Sequence, residues 1–259
     1  MCLLALAWRA DKRWPLALIG NRDELHARPT ATADRWADAP QVIGGRDLEH
    51  GGTWLGVSER RRLAAVTNFR RPHEPAVARA SRGLLTRRFL TGELGLEALQ
   101  ALDLNDFNPF NLIVIENDAA VFMTNRPDAR RLALPPGLHG LSNGPIEPPW
   151  PKTIRAIAAL SAWLDAGIAA DLEPLFAFLA DERPAPDAEL PDSGIGLERE
   201  RQLSACFLRG PVYGTRASTV ILVDAQGRGL LVERSFGPDG APGGEARVGF
   251  NWSGDSAAL

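Results

Sequence analysis

The sequence predicts an α+β fold, a four-layer αββα sandwich in which two antiparallel sheets lie between layers of helices. Three observations predict it. Apolar runs come in closely spaced pairs joined by charged or Asn/Asp/Gly turns, the pattern of hairpins. Helical stretches arrive in pairs rather than alternating singly with strands, which argues against parallel βαβ winding. Several strands are apolar at almost every position, so both of their faces are covered.

Taken in order, residues 2 to 8 and 15 to 19 flank the punctuation Asp11-Lys12-Arg13 and form a first hairpin of buried strands. Thr53 to Ser58 and Leu63 to Asn68 repeat the pattern around a charged turn. Ser81 to Thr91 and Leu94 to Leu102 read as helices, with Leu84, Leu85, Arg88 and Phe89 at helical spacing and Gly92 as a stop. A second hairpin runs from Asn111 to Glu116, turns at Asn117-Asp118 and returns over Ala119 to Thr124. Pro135 to Pro151 is rich in Pro and Gly and reads as having little regular structure.

Pro151 suits a helix N-terminus, and Ile154, Ile157, Ala158, Leu160 and Leu164 make an apolar stripe behind it. Leu172 to Leu179 gives its partner helix, and Arg183 to Gly196 a surface loop. Thr219 to Asp224, the turn Gln226-Gly227 and Gly229 to Glu233 form a further hairpin, followed by a strand over Ala246 to Trp252. The expected order is ββ, ββ, αα, ββ, αα, ββ, and with no repeat, linker or composition break the 259 residues read as one domain.

Composition excludes several function classes. At 45% hydrophobic and 24% charged the chain is an ordinary globular sequence, and a net charge of -3 provides no general pull on nucleic acid or anionic membranes. Of its 29 basic residues only Lys12 and Lys152 are lysines, an Arg- and Ala-rich usage expected of a GC-rich bacterial genome. Cys2 and Cys206 are far apart without metal-binding spacing, so neither a disulfide framework nor a zinc site is expected. The short apolar start has no basic region before it and meets Arg9 and Asp11 at once, so it reads as a strand rather than a leader or membrane span. A reducing, cytoplasmic location and no integral membrane association follow as expectations. No GxGxxG, P-loop or HExxH pattern calls for a cofactor, and His26, His50, His73 and His139 show no ligand spacing and are expected in loops.

One constellation carries chemistry. The second strand runs out into Asn21-Arg22-Asp23-Glu24, and the hairpin brings these four polar residues beside Cys2. Asn21 and Asp23 face one way and Arg22 and Glu24 the other, so only one pair points directly at the thiol, and the sequence leaves open which. Removal of Met1 would leave Cys2 with both a thiol and a free α-amino group. Cys206 reads as core filler.

With this start and the Asn-Arg-Asp-Glu run, the chain resembles the NRDE family, also called the transport and Golgi organisation protein 2 family. Further matching words are Gly44-Gly45-Arg46-Asp47, Gly51-Gly52-Thr53-Trp54-Leu55-Gly56, Thr67-Asn68, Ser81-Arg82-Gly83, Asn108-Pro109-Phe110-Asn111-Leu112, Gly140-Leu141-Ser142-Asn143, Pro149-Trp150-Pro151-Lys152 and Tyr213-Gly214-Thr215-Arg216. The family in turn resembles the N-terminal-nucleophile hydrolases, whose αββα sandwich agrees with the hairpin reading.

The resemblance implies a Cys2 thiolate that attacks an amide carbonyl while the α-amine of the same residue takes the proton. It implies catalytic roles for Arg22, Asp23, Asn143 and Arg216, and a substrate or oxyanion role for Asn21, Glu24, Asn68 and Trp54. No metal is implied. The cysteine branch of these hydrolases usually carries Arg-x-x-Asp on the second strand, so here either Asp23 or Glu24 takes the carboxylate role. The implied ligand is a small-molecule or lipid-like amide. The alternative is a non-catalytic carrier of haem or an acyl or lipid metabolite, although no Cys-Pro dipeptide or pair of axial histidines marks a haem site. Oligomeric state is not readable.

Overall fold

The computed structural model describes residues 2–72, 80–167 and 171–252. Met1 and His73 lie outside the described residues.

Among the described residues, thirteen strands and five α-helices follow one another as β1 (Cys2–Trp8), β2 (Leu16–Leu25), β3 (Thr30–Trp36), β4 (Ala39–Asp47), β5 (Leu55–Ser58), β6 (Arg62–Asn68), α1 (Arg82–Thr91), α2 (Leu96–Ala101), β7 (Phe110–Glu116), β8 (Ala119–Thr124), β9 (Arg130–Ala133), β10 (Gly137–Leu141), α3 (Pro151–Ala166), α4 (Glu173–Leu179), α5 (Leu197–Gln202), β11 (Tyr213–Val223), β12 (Arg228–Phe236) and β13 (Pro242–Asn251). The strands form a six-stranded sheet, ordered β10-β1-β2-β11-β12-β13, and a seven-stranded sheet ordered β3 through β9. Every strand pair within both sheets is antiparallel.

Side-chain alternation along β1 stacks the layers. Leu4, Leu6 and Trp8 enter the core between the sheets, whereas Leu3, Ala5 and Ala7 meet Leu160, Trp163, Leu175 and Phe176 of α3 and α4. Both faces of the first hairpin are thus covered, which is why its sequence does not alternate. On the other sheet α1 packs across β4, β5 and β6 through Leu85, Phe89 and Leu90. Each such buried apolar side chain contributes about 1.5–3 kcal/mol relative to exposure. Helix ends follow local chemistry: Pro151 occupies the first position of α3, and Gly92 and Gly167 close α1 and α3 in the left-handed conformation.

The expected hairpins and helix pairs are present, and the differences have physical causes. The stretch from Pro135 to Pro151 contains β10, an edge strand pairing Leu141 with Leu4 and Gly137 with Trp8. Its glycines hide it from propensity, but Gly140 lets α3 sit close, since a Cβ there would lie 2.4 Å from Thr153. His139 belongs to this strand rather than to a loop. The seven-stranded sheet also gains β3 and β9, whose largely exposed, polar sequences carry little strand signal, and β4, whose buried Val42 and Ile43 are flanked by Pro40 and the Gly44-Gly45 pair that weaken it. No helix among the described residues is long and apolar enough to cross a membrane.

Candidate functional site

Cys2 opens β1 at the edge of the inter-sheet core, 7% exposed, in a cleft of about 460 Å³. The β1–β2 register pairs Cys2 with Arg22 directly, which decides the question the sequence left open: Arg22 and Glu24 share the face of the thiol. Arg22 is itself buried at 8% exposure, approaches Glu24 at 3.7 Å and donates to Thr30 Oγ1 at 3.4 Å. Burial pushes the Cys2 thiol above its ordinary value, the Asp23 and Glu24 carboxylates add to that rise, and the Arg22 guanidinium opposes it. The thiol therefore needs a base to become a nucleophile.

Asn21 lies on the opposite face and does not line the cleft. It is fully buried; its amide donates at 2.8 Å to the carbonyls of Leu179 and Cys206 and accepts from Ser218 Oγ at 2.7 Å. This side chain fastens β2 to α4 and β11, so a direct oxyanion or substrate role does not fit its position. Asp23 sits two residues on, at the cleft's margin, where Thr215 Oγ1 donates to its Oδ1 at 2.8 Å. Burial raises its carboxyl, while the charge of Lys152, the Thr215 bond and Arg22 pull it back.

Lys152 was not among the residues given a role. It is 1% exposed in the first turn of α3, donates to the Leu203 carbonyl at 3.1 Å, and burial lowers its pKa while Asp23 opposes the drop. One of only two lysines in an arginine-rich chain was the available signal.

Arg216 owes its position to a bulge. Asp23 pairs with Thr215 and Arg22 with Ala217, so Arg216 is the extra residue between them. Its Nη1 donates to the carbonyls of Leu25, His26 and Arg28 at 2.9, 3.3 and 3.0 Å while the residue lines the cleft.

The facing wall is set by Gly52. A Cβ there would lie 2.4 Å from the backbone of Gly83, so glycine is what allows the loop before β5 to abut the start of α1. Thr53 N donates to the Gly83 carbonyl at 3.3 Å, and Thr86 Oγ1 donates back to the Thr53 carbonyl at 2.5 Å. This contact brings Ser81, Arg82 and Gly83 to the cleft opposite Cys2. Arg82 is the second residue sequence reasoning left without a role. Burial lowers its pKa and the Cys2 thiol opposes the drop, and its Nη1 donates to the Pro109 carbonyl at 2.9 Å.

Trp54, 9% exposed, lines the cleft and covers Gly20, where a Cβ would stand 3.1 Å from the indole. Asn68 lines the cleft at the end of β6. Asn143 stands behind it, fully buried, donating from Nδ2 to the Asn68 carbonyl at 2.8 Å, so it positions Asn68 instead of facing the cavity.

Glu233, a third residue without an assigned role, is 5% exposed in the cleft wall and accepts from the Ala33 amide at 2.7 Å across the two sheets. Burial raises its carboxyl, against the Ala33 and Thr219 bonds and the charge of Arg22. Asp47, Glu49 and His50 cluster at the rim, where Arg28 holds Asp47 at 2.6 Å, Glu49 at 3.0 Å and the His50 ring at 3.0 Å. That guanidinium occupies the place of a cation. Cys206 lies in the core under α3 and α4, with burial pushing its thiol up to about 11.

A family model described as Transport and Golgi organisation 2 matches residues 1–238. The chain belongs to this family. The human Transport and Golgi organization protein 2 homolog is 37% identical over 239 residues, covering 85% of this chain and 86% of that one. The Drosophila melanogaster protein of the same name is 28% identical over 254 residues, covering 86% and 87%. The fold is similar to that of a conjugated bile acid hydrolase from Clostridium perfringens, solved as its C2A mutant, with a TM-score of 0.50 at 10% identity over 99% of this chain and 95% of that one. The family member described here therefore has an N-terminal-nucleophile hydrolase fold.

Proposed function

We propose that this chain is an amidohydrolase that uses Cys2 as an N-terminal nucleophile on a small or lipid-like amide. The observation that carries the reading is the pairing of Cys2 with Arg22 at the floor of a cleft large enough for a small ligand. The C2A mutation in the bile acid hydrolase, at the same ordinal position, is in keeping with it.

Loss of Met1 would free the α-amine of Cys2, whose ordinary pKa of about 7.7 keeps an appreciable uncharged fraction at neutral pH to accept the thiol proton. Burial, which holds the thiol protonated, makes such an adjacent base necessary. The sulfur attacks the amide carbon, and the oxygen becomes an oxyanion. Collapse expels the amine, which takes the proton from the α-ammonium and leaves a thioester on Cys2. Water, deprotonated by the same α-amine, attacks the thioester and releases the acid.

Asn68 is suited to offer an uncharged donor to the oxyanion, held in place from behind by Asn143. Arg22 would favour thiolate over thiol, and Asp23, anchored by Thr215, would hold the α-ammonium. Incubation of the purified chain with a panel of acyl amides, followed by intact-mass analysis, tests the reading. Loss of methionine and an acyl adduct on Cys2 support it. Ligand binding unchanged in Cys2→Ala, with no turnover by either protein, replaces it with the carrier reading for haem or an acyl metabolite.

A further inference from the structure

The cleft holds more positive charge than its own carboxylates engage at close range. Arg28 and Arg46 are spoken for, the first by Asp47 and Glu49 at 2.6 and 3.0 Å and the second by Asp38 at 2.5 Å. Among the described residues Arg82 and Arg216 have no carboxylate within 4.0 Å, and Arg22 comes no closer to one than 3.7 Å. These three guanidiniums come from α1, the β11 bulge and β2, three separate elements converging on one cavity with Cys2. The bonds that Arg82 and Arg216 do make run to main-chain carbonyls, which fix the side chains without neutralising them. The first turn of α1 carries no acidic residue, and Ser81 makes no side-chain cap bond, so the helix opening adds to the same field. Arg22 is buried and Arg82 and Arg216 are half-buried, and Glu24, 3.7 Å from Arg22, is the carboxylate that acts on all three. One carboxylate against three partly desolvated guanidiniums leaves a surplus that a bound anion would offset.

We propose that Arg22, Arg82 and Arg216 form an anion subsite, so that the ligand taken beside Cys2 carries a compact oxyanion, a carboxylate or a phosphate monoester. This names the substrate class of the amidohydrolase reading and rests on it for the amide, but the anion is tested by binding alone.

The probes are N-hexanoylglycine, N-hexanoyl-O-phosphoethanolamine and the neutral N-hexanoylglycinamide, titrated calorimetrically into the full chain carrying Cys2→Ala, which cannot turn over. At least one anionic probe binds about tenfold tighter than the carboxamide, and which one identifies the anion. That preference weakens with added salt and falls below about threefold in Arg82→Gln, whose thermal unfolding serves as the folding control. Three affinities within about threefold of one another, no binding below about 5 mM, or a preference that survives in both Arg82→Gln and Arg216→Gln overturns the subsite. Selective anion binding without hydrolysis by the Cys2 protein would retire the amidohydrolase reading and leave the subsite standing.

Discussion

Arg22 stands directly across from Cys2 in the β1–β2 register, and the two side chains leave the sheet on the same face. A cation therefore sits beside a buried thiol and opposes, without reversing, the rise that burial causes.

Replacing Arg22 with Gln removes the opposing charge and leaves the desolvation. The Cys2 thiol is expected to rise further, and alkylation of Cys2 by iodoacetamide at neutral pH to slow by about three- to tenfold. Peptide mapping separates Cys2 from Cys206, whose reactivity stays as it was.

Gly52→Ala forces a methyl group to within 2.4 Å of the Gly83 main chain, with no flexible side chain to give way. The loop and the start of α1 must separate, at an expected cost of about 1–3 kcal/mol in urea unfolding. Arg82 moves with that turn, so anion binding in the cleft weakens more than the loss of stability alone would bring.

Asn143→Ala leaves the Asn68 carbonyl without its buried donor. The expected destabilisation is about 1–2 kcal/mol, and the turnover of a hydrolysed amide falls because Asn68 is no longer held. A variant that lost stability and kept full turnover would show Asn143 to be structural only.

Glu233 gives a pH signature. Burial raises its folded pKa above the ordinary 4.5, so the folded protein binds this proton more tightly than the unfolded chain. The stability that the protonated form provides is complete below the unfolded value and is lost as pH rises through the folded one. Glu233→Gln keeps an oxygen for the Ala33 amide and carries no charge. The variant should match the parent near pH 4 and exceed it in urea midpoint at pH 8; equal midpoints at both would show that Glu233 is not titrating in this window.

Much of this was legible in the sequence because it is local. The hairpin of β1 and β2 announces itself as two apolar runs, and Pro151 marks the start of α3 by its own conformational limits. Where a residue's environment is built by distant chain, sequence reading stopped short. The polar run TATADRW becomes β3 only because Ala33 and Trp36 reach the core and Glu233, 200 residues away, takes the Ala33 amide. Nothing local marks Arg82 as a cleft residue, because it is Gly52, about 30 positions earlier, that lets its helix turn abut the wall. Asn21 shows the reverse: it lies in the most suggestive motif of the chain, yet Leu179, Cys206 and Ser218 consume its amide. The face of Arg22 was open because alternation fixes which residues share a side and not which side meets the thiol.

The central claim is that position 2 works as an N-terminal nucleophile, and intact-mass spectrometry of the native protein, before and after incubation with an amide it hydrolyses, tests it most directly. The account predicts a mass lighter by one methionine, with an acyl adduct that maps to Cys2 and is absent from Cys2→Ala. Hydrolytically active protein that retains Met1 would contradict it, because the α-amine of Cys2 would then be locked in a peptide bond.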